Sequence, residues 1–222
     1  MTGPFTAPSF HVPQIRMSSW RKLLLDAVAP FDSGVRGLNV YGTGPDPAMT
    51  RPRRTAAVLV PVLDLPEPEI VLTVRADHLV QHSGQVAFPG GGSEETDDSA
   101  VETALREAEE ETGLPRSAVH PIGFLDRLDT ISDYRVLPVV SLVEPPVVWK
   151  PDHNEVAEVF TVPASVVFDR KNYDSEIFER HGQVHRVWTL DWEGRKIWGI
   201  TAAILMNLVI RLEEARERKH SA

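Results

Sequence analysis

The chain contains no cysteine. Disulfides, thiolate-bound zinc and cysteine nucleophiles are therefore excluded. A cysteine-free chain fits the cytoplasm, which is the expected location. Basic charge is also scarce: 23 Lys and Arg against 32 Asp and Glu give a net charge of −9. So acidic a chain lacks the electrostatic footprint for gripping a nucleic-acid backbone, and no nucleic-acid partner is expected. An anionic small molecule is compatible with this charge if cations bridge the two. Long apolar runs are missing as well. The longest, "IWGITAAILMNLVI" from Ile197 to Ile210, spans 14 residues and is interrupted by Asn207. A membrane-crossing helix needs about 20 apolar residues, so this segment reads as a core-packing helix and no membrane association is expected. The opening "MTGPFTAPSFHVPQ" has no basic stretch followed by an apolar one and does not read as a signal peptide.

What is present suits one domain with appendages: 222 residues, 42% hydrophobic and 25% charged. Residues 1–17 are rich in Pro, Thr and Ser without period and read as a loosely draped arm. "SSWRKLLLDAVAPF" predicts a short helix ended by Pro30, and residues 31–54 read as irregular. From Ala56 onward β-branched runs dominate. "AAVLVPVLD", "EIVLTVRA", "QVAFPGG" (a strand ending in a glycine turn), "HPIGFLDRLDT", "YRVLPVVSLV" and "EVAEVFTVP" are predicted strands. "PASVVFD" predicts a short helix, "VHRVWTLDWEGRKIWG" a hairpin turning at Glu193-Gly194, and the segment from about Gly199 to Arg218 a long helix. Strands and helices mix without a βαβα rhythm, which favours an α+β class with a mixed sheet and flanking helices.

The segment "FPGGGSEETDDSAVETALREAEEETGL", Phe88 to Leu114, carries most of the chemistry. Projected on a helix over 99–113, Val101, Ala104, Leu105, Ala108 and Thr112 form a core-facing side. Glu107, Glu110 and Glu111 share another face, while Glu102 and Glu109 lie apart. Three carboxylates within one turn repel one another, so something positive should offset them. Arg106 is one candidate and divalent cations are the other; an all-oxygen ligand set suits Mg²⁺ or Mn²⁺. The glycines ahead of the helix let backbone approach a ligand closely.

These residues resemble the signature of the Nudix hydrolase family: Gly, five residues, Glu, seven residues, Arg-Glu, aliphatic, any, Glu-Glu, any, Gly, aliphatic. "REAEEETGL" supplies Arg106, Glu107, Ala108, Glu110, Glu111, Gly113 and Leu114. Counted strictly, the earlier positions are Gly92 and Asp98. Anchored instead on Phe88-Pro89, the glycine pair is Gly90-Gly91 and the loop is one residue longer, with Asp97 or Asp98 in place of the first Glu. The second register is preferred. Upstream, "VLTVRADHLVQHSGQVAFPGG" is similar to the segment that marks coenzyme A-cleaving members of the family. Leu72, Thr73, Arg75, Gly84, Phe88, Pro89, Gly90 and Gly91 match; Val71, Ala76 and Val80 stand where that pattern has Leu, Ser and Arg.

The resemblance covers roughly residues 55–206 and implies a Nudix-type α/β/α sandwich at 55–222, with an N-terminal arm and short helix at 1–54. It implies a metal-dependent diphosphatase that splits coenzyme A or acyl-CoA into 3',5'-ADP and (acyl-)4'-phosphopantetheine. Because Val80 replaces an arginine, ADP-ribose, NADH and dinucleoside polyphosphates stay open as substrates. A non-catalytic nucleotide-binding module is a third reading, against which the intact glutamates argue. On this likeness Glu107, Glu110 and Glu111, with the Gly90 carbonyl, hold Mg²⁺ or Mn²⁺, and Arg106 orients the glutamates. Glu155 is the candidate general base, or else a solvated strand-edge acid. Arg75, Gly84, Gln85 and Gly91 are the expected substrate contacts, with Arg75 alternatively a partner for Asp77. The partner is a small nucleotide. A homodimer is left open, the basic run "RPRR" at 51–54 being a contact for a second subunit, a 3'-phosphate, or solvent alone. His78 and His82, four apart, lack the glutamate of a zinc-protease helix, and Trp188, Trp192 and Trp198 read as packing residues.

Overall fold

The computed structural model describes residues 19–33, 37–39, 54–79, 83–130, 134–180 and 183–220. The arm at 1–17, Val80 and His82 lie outside the described residues. Along the chain run α1 (Ser19–Ala27), β1 (Gly37–Asn39), β2 (Arg54–Leu63), β3 (Glu69–Arg75), β4 (Val86–Ala87), β5 (Gly90–Gly92) and α2 (Ala100–Thr112). Then follow β6 (Val119–Phe124), β7 (Arg127–Asp129), β8 (Tyr134–Val143), β9 (Val156–Pro163) and α3 (Ala164–Val167). The chain closes with β10 (Tyr173–Arg180), β11 (Gln183–Trp192), β12 (Arg195–Trp198) and α4 (Gly199–His220).

Nine strands form one mixed sheet. Its path is β1-β7-β8-β2-β3-β4, with β5 added to β2, β6 to β8 and β9 to β3. The central β2 and β8 pair in parallel along ten residues, from Arg54↔Tyr134 to Leu63↔Val143. Side chains alternate between the two faces of such strands, and both faces are covered here, which is why β2 and β8 read as nearly continuous apolar runs. Ala57, Leu59, Val139 and Val143 pack under α2 against Val101, Ala104, Leu105 and Ala108. Val60, Val62, Val140 and Leu142 face the opposite way and pack with Leu24 of α1 and with Ala202, Leu205 and Leu208 of α4. Three layers result, helix on sheet on helix, as the α+β expectation required.

The second sheet is antiparallel, β10-β11-β12. Its β11–β12 turn falls at Glu193-Gly194, both with positive φ (48 and 77), the conformation a two-residue hairpin demands. Two strands differ from the sequence reading. β1 lies in a segment expected to be irregular, and β10, "YDSEIFER", is too polar to announce itself; each exists through pairing, with β7 and β11 respectively. The glycine run also departs from expectation. It is not a turn but β5, paired antiparallel with Ala56–Val58 of β2. No described helix is long and apolar enough to cross a membrane.

Candidate active site

Helix α2 begins and ends where its sequence dictates. Ser99 caps it, its hydroxyl accepting the Glu102 N–H at 3.2 Å. Gly113 ends it in the left-handed conformation (φ 68), its N–H bonding Glu109 O. A side chain at Gly113 would also strike Lys150. The segment after β8 therefore lies against the last turn of the helix, with Lys150 N–H donating to Thr112 O (2.8 Å) and Asp152 N–H to Glu111 O (3.0 Å).

Two arginines gather all the acids of this helix except Glu111. Glu102 and Glu109, on the face away from the trio, both pair with Arg116. Arg106 collects Glu107 and Glu110, together with Asp97 of the preceding loop. Its Nε and one Nη hold the two Asp97 oxygens, each at 3.0 Å, and the same Nη donates to Gly92 O at 3.0 Å. Its other Nη lies 3.1 Å from both Glu107 Oε1 and Glu110 Oε2. Asp97 also accepts the Thr103 hydroxyl and the Glu94 N–H, each at 2.9 Å. These bonds, those from Arg106 foremost, hold its carboxyl near pKa 2. Of the two candidates for the first motif acid, Asp97 is the one that binds Arg106.

The register question is settled by sterics. A Cβ on Gly91 would fall 2.6 Å from Glu107 Oε1, whereas one on Gly92 would meet nothing within 4 Å. Gly91 is the glycine that lets Glu107 lie on the backbone. Beside it, the Gly90 N–H donates to Glu111 Oε2 at 3.1 Å. Glu111 is only 5% exposed. Burial raises its carboxyl to about 7; the Gly90 N–H opposes that shift, Glu107 and Glu155 add to it, and Arg75 lowers it. Burial also raises Glu107, against the pull of Arg106. Glu110, by contrast, extends into solvent.

The other sequence-predicted residues surround this point. Glu155 is exposed in the turn before β9, near enough to act on the titration of both Glu107 and Glu111. Arg75 ends β3 with its Nε buried and without a hydrogen-bond partner. Gly84 and Gln85 close the loop back onto it: Gly84 N–H donates to Arg75 O (3.1 Å) and Arg75 N–H to Gln85 O (3.0 Å). Of the basic run, Arg54 is described, and its guanidinium stacks 4.1 Å from the Tyr134 ring centroid. Trp188 and Trp192 pack on the core, as expected, while Trp198 is exposed.

A model of the NUDIX domain matches residues 52–181, a span that includes Arg75, Asp97, the acidic face of α2 and Glu155. The chain belongs to the Nudix family. It is 42% identical over 159 residues to the uncharacterized Nudix hydrolase NudL of Escherichia coli strain K12, covering 72% of this chain and 83% of that one. The NudL of Shigella boydii serotype 18 is equally similar. Among solved structures, the Nudix hydrolase RenU from M. smegmatis aligns with a TM-score of 0.43 at 24% identity, over 51% of this chain and 72% of that one. A MutT/nudix family protein from Enterococcus faecalis aligns at 0.46 and 17% identity, over 77% and 66%. As a Nudix hydrolase the protein is an enzyme acting on diphosphate bonds.

The acidic set fits the divalent cation that Nudix hydrolases generally need. Among the described residues no three acidic or imidazole side chains converge at ligand distance. Yet Glu107 and Glu111 are half-buried or buried close together, and burial raises the pKa of both carboxyls. A hard cation would relieve that penalty with the oxygen ligands it prefers.

Proposed function

We propose that this Nudix hydrolase cleaves the diphosphate of coenzyme A or acyl-CoA, giving 3',5'-ADP and (acyl-)4'-phosphopantetheine. The observation that carries this reading is Arg75. It stands at the matching position of the coenzyme A-type segment, its Nε is buried without a partner, and it acts on the titration of Glu111. A buried donor of that kind is satisfied by a phosphate oxygen. Gly84, Gln85 and Gly91 frame the same side of the site and supply backbone close to the substrate.

Glu107, Glu110 and Glu111, with the Gly90 carbonyl, would hold Mg²⁺ or Mn²⁺, which when bound supplies charge neutralisation for the diphosphate and lowers the pKa of water. Arg106 fixes the directions of Glu107 and Glu110 through their hydrogen bonds and is itself fixed by Asp97. Glu155 accepts the proton from the attacking water. Its carboxyl is exposed and close enough to Glu107 and Glu111 to act on their titration.

The deciding experiment compares kcat/KM for coenzyme A, acetyl-CoA, ADP-ribose, NADH and a dinucleoside polyphosphate with each metal. The coenzyme A reading expects the first two to lead by at least about ten-fold, a difference of roughly 1.4 kcal/mol. Preference for ADP-ribose would overturn it and favour the alternative that Val80 motivates.

A further inference from the structure

The loop after β3 is tied to the turn that carries Glu155. Asn154 O and Glu155 N belong to one peptide group, and Glu155 O and Val156 N to the next. All four atoms are hydrogen-bonded. Glu155 N–H donates to Asp152 O (2.9 Å), and Val156 N–H donates to the same oxygen (2.8 Å). Ala76 N–H donates to Glu155 O at 2.9 Å. The fourth bond comes from a side chain: His78 Nε2 donates to Asn154 O at 3.0 Å. A carbonyl only accepts, so Nε2 carries the proton. With both flanking peptide planes held at both ends, φ and ψ of Glu155 are fixed, and with them the direction in which its side chain leaves the backbone.

We propose that His78 is a positioning residue that aims Glu155 at the site. The proposal rests on the reading of Glu155 as the base. The turn is exposed and short, so little packing holds it. Asp152 organises it from within, its Oδ1 accepting from Asn154 N (2.9 Å) and Nδ2 (2.8 Å). From outside it is fixed to α2 through Asp152 N–H and Glu111 O and to the Arg75 loop through Ala76 and His78. The loop has its own brace, the Ser83 hydroxyl donating to Asp77 O at 2.6 Å. His78 therefore links the loop that presents Arg75 to the turn that presents Glu155. Its Nε2 is committed to this bond.

The test is a double-mutant cycle of His78→Ala and Glu155→Gln, with His78→Gln as the conservative variant whose amide can still donate. It uses the full chain with Mn²⁺ and the best substrate of the panel above. His78→Ala should lower kcat about five-fold, the effect of one lost hydrogen bond, with KM and melting temperature unchanged. His78→Gln should restore most of kcat. In the Glu155→Gln background His78→Ala should cost nothing further. Equal losses in both backgrounds, or a loss confined to KM, would overturn the proposal while leaving Glu155 as the base. A Glu155→Gln enzyme with normal kcat would remove both readings. Amide hydrogen exchange over residues 152–158 gives an answer independent of turnover. It should speed up in His78→Ala and not in His78→Gln, and unchanged exchange in His78→Ala would also overturn the proposal.

Discussion

At the scale of single residues, the site combines one carboxylate driven far down with one driven far up. Asp97 is held near 2 by Arg106, while Glu111 is raised by burial to about 7. Without metal, the native state therefore binds a proton at Glu111 that the unfolded chain, near 4.5, has already released. Stability of the metal-free protein should fall as pH rises from about 4.5 to about 7, by roughly 3 kcal/mol from this group. Thermal unfolding in chelator, from about pH 5 to about pH 8, checks this: Glu111→Gln should flatten the slope and raise the melting temperature at the alkaline end. Divalent metal should restore much of the lost stability to the unaltered protein at alkaline pH and stabilise the variant less. Glu110 is different, since it is solvent-exposed and contributes little to folding. Glu110→Gln should leave the unfolding midpoint unchanged and reduce kcat by roughly 100-fold or more; near-normal turnover would refute its assigned role.

At the scale of elements, the site is made by pressing α2 against β5. Glu107 can lie on that strand because Gly91 has no side chain. Gly91→Ala should push Glu107 aside and lower kcat/KM by about 10- to 100-fold, as expected when a supporting contact of a metal ligand is lost. Gly92→Ala, with open space around its Cβ, is the control and should keep most activity. The loop between β5 and α2 depends on Asp97 in the same way. Asp97→Asn removes the charge that holds Arg106, and should reduce kcat while Asp98→Asn does not.

At the scale of the molecule, α4 lies outside the span matched by the Nudix model, yet it packs into the larger of the two hydrophobic clusters. Asn207 locks it in place. Its Nδ2 donates to Asp126 Oδ2 at 2.7 Å and its Oδ1 accepts the Asp126 N–H at 3.0 Å, while Arg211 donates to Asp126 Oδ1 at 3.0 Å. Asp126 is fully buried. Asn207→Leu would strand a buried backbone donor and weaken the satisfaction of a buried carboxylate, a loss of about 2–4 kcal/mol. Urea unfolding should show a lower midpoint, with KM unchanged because the helix covers the sheet face opposite α2.

Much of this was legible along the chain because it is local. The periodicity of 99–113 marks the buried and acidic faces of α2, Gly113 marks its end, and β-branched apolar runs mark the main strands; each depends on neighbours a few residues away. Glu107, Glu110, Glu111 and Arg106 are grouped by helical spacing alone. The remainder depends on groups far apart in sequence. Asn207 reads as a mere interruption of an apolar run until Asp126 is placed opposite it, and β10 is a polar segment until β11 pairs with it. Whether Gly91 or Gly92 serves Glu107 is undecidable by counting, since it turns on where a missing Cβ would fall. Spacing determined which residues group as candidates for the chemistry. Tertiary packing decided how each is charged and aimed, because burial, opposed carboxylates and the pinning of the Glu155 turn exist only once distant segments meet.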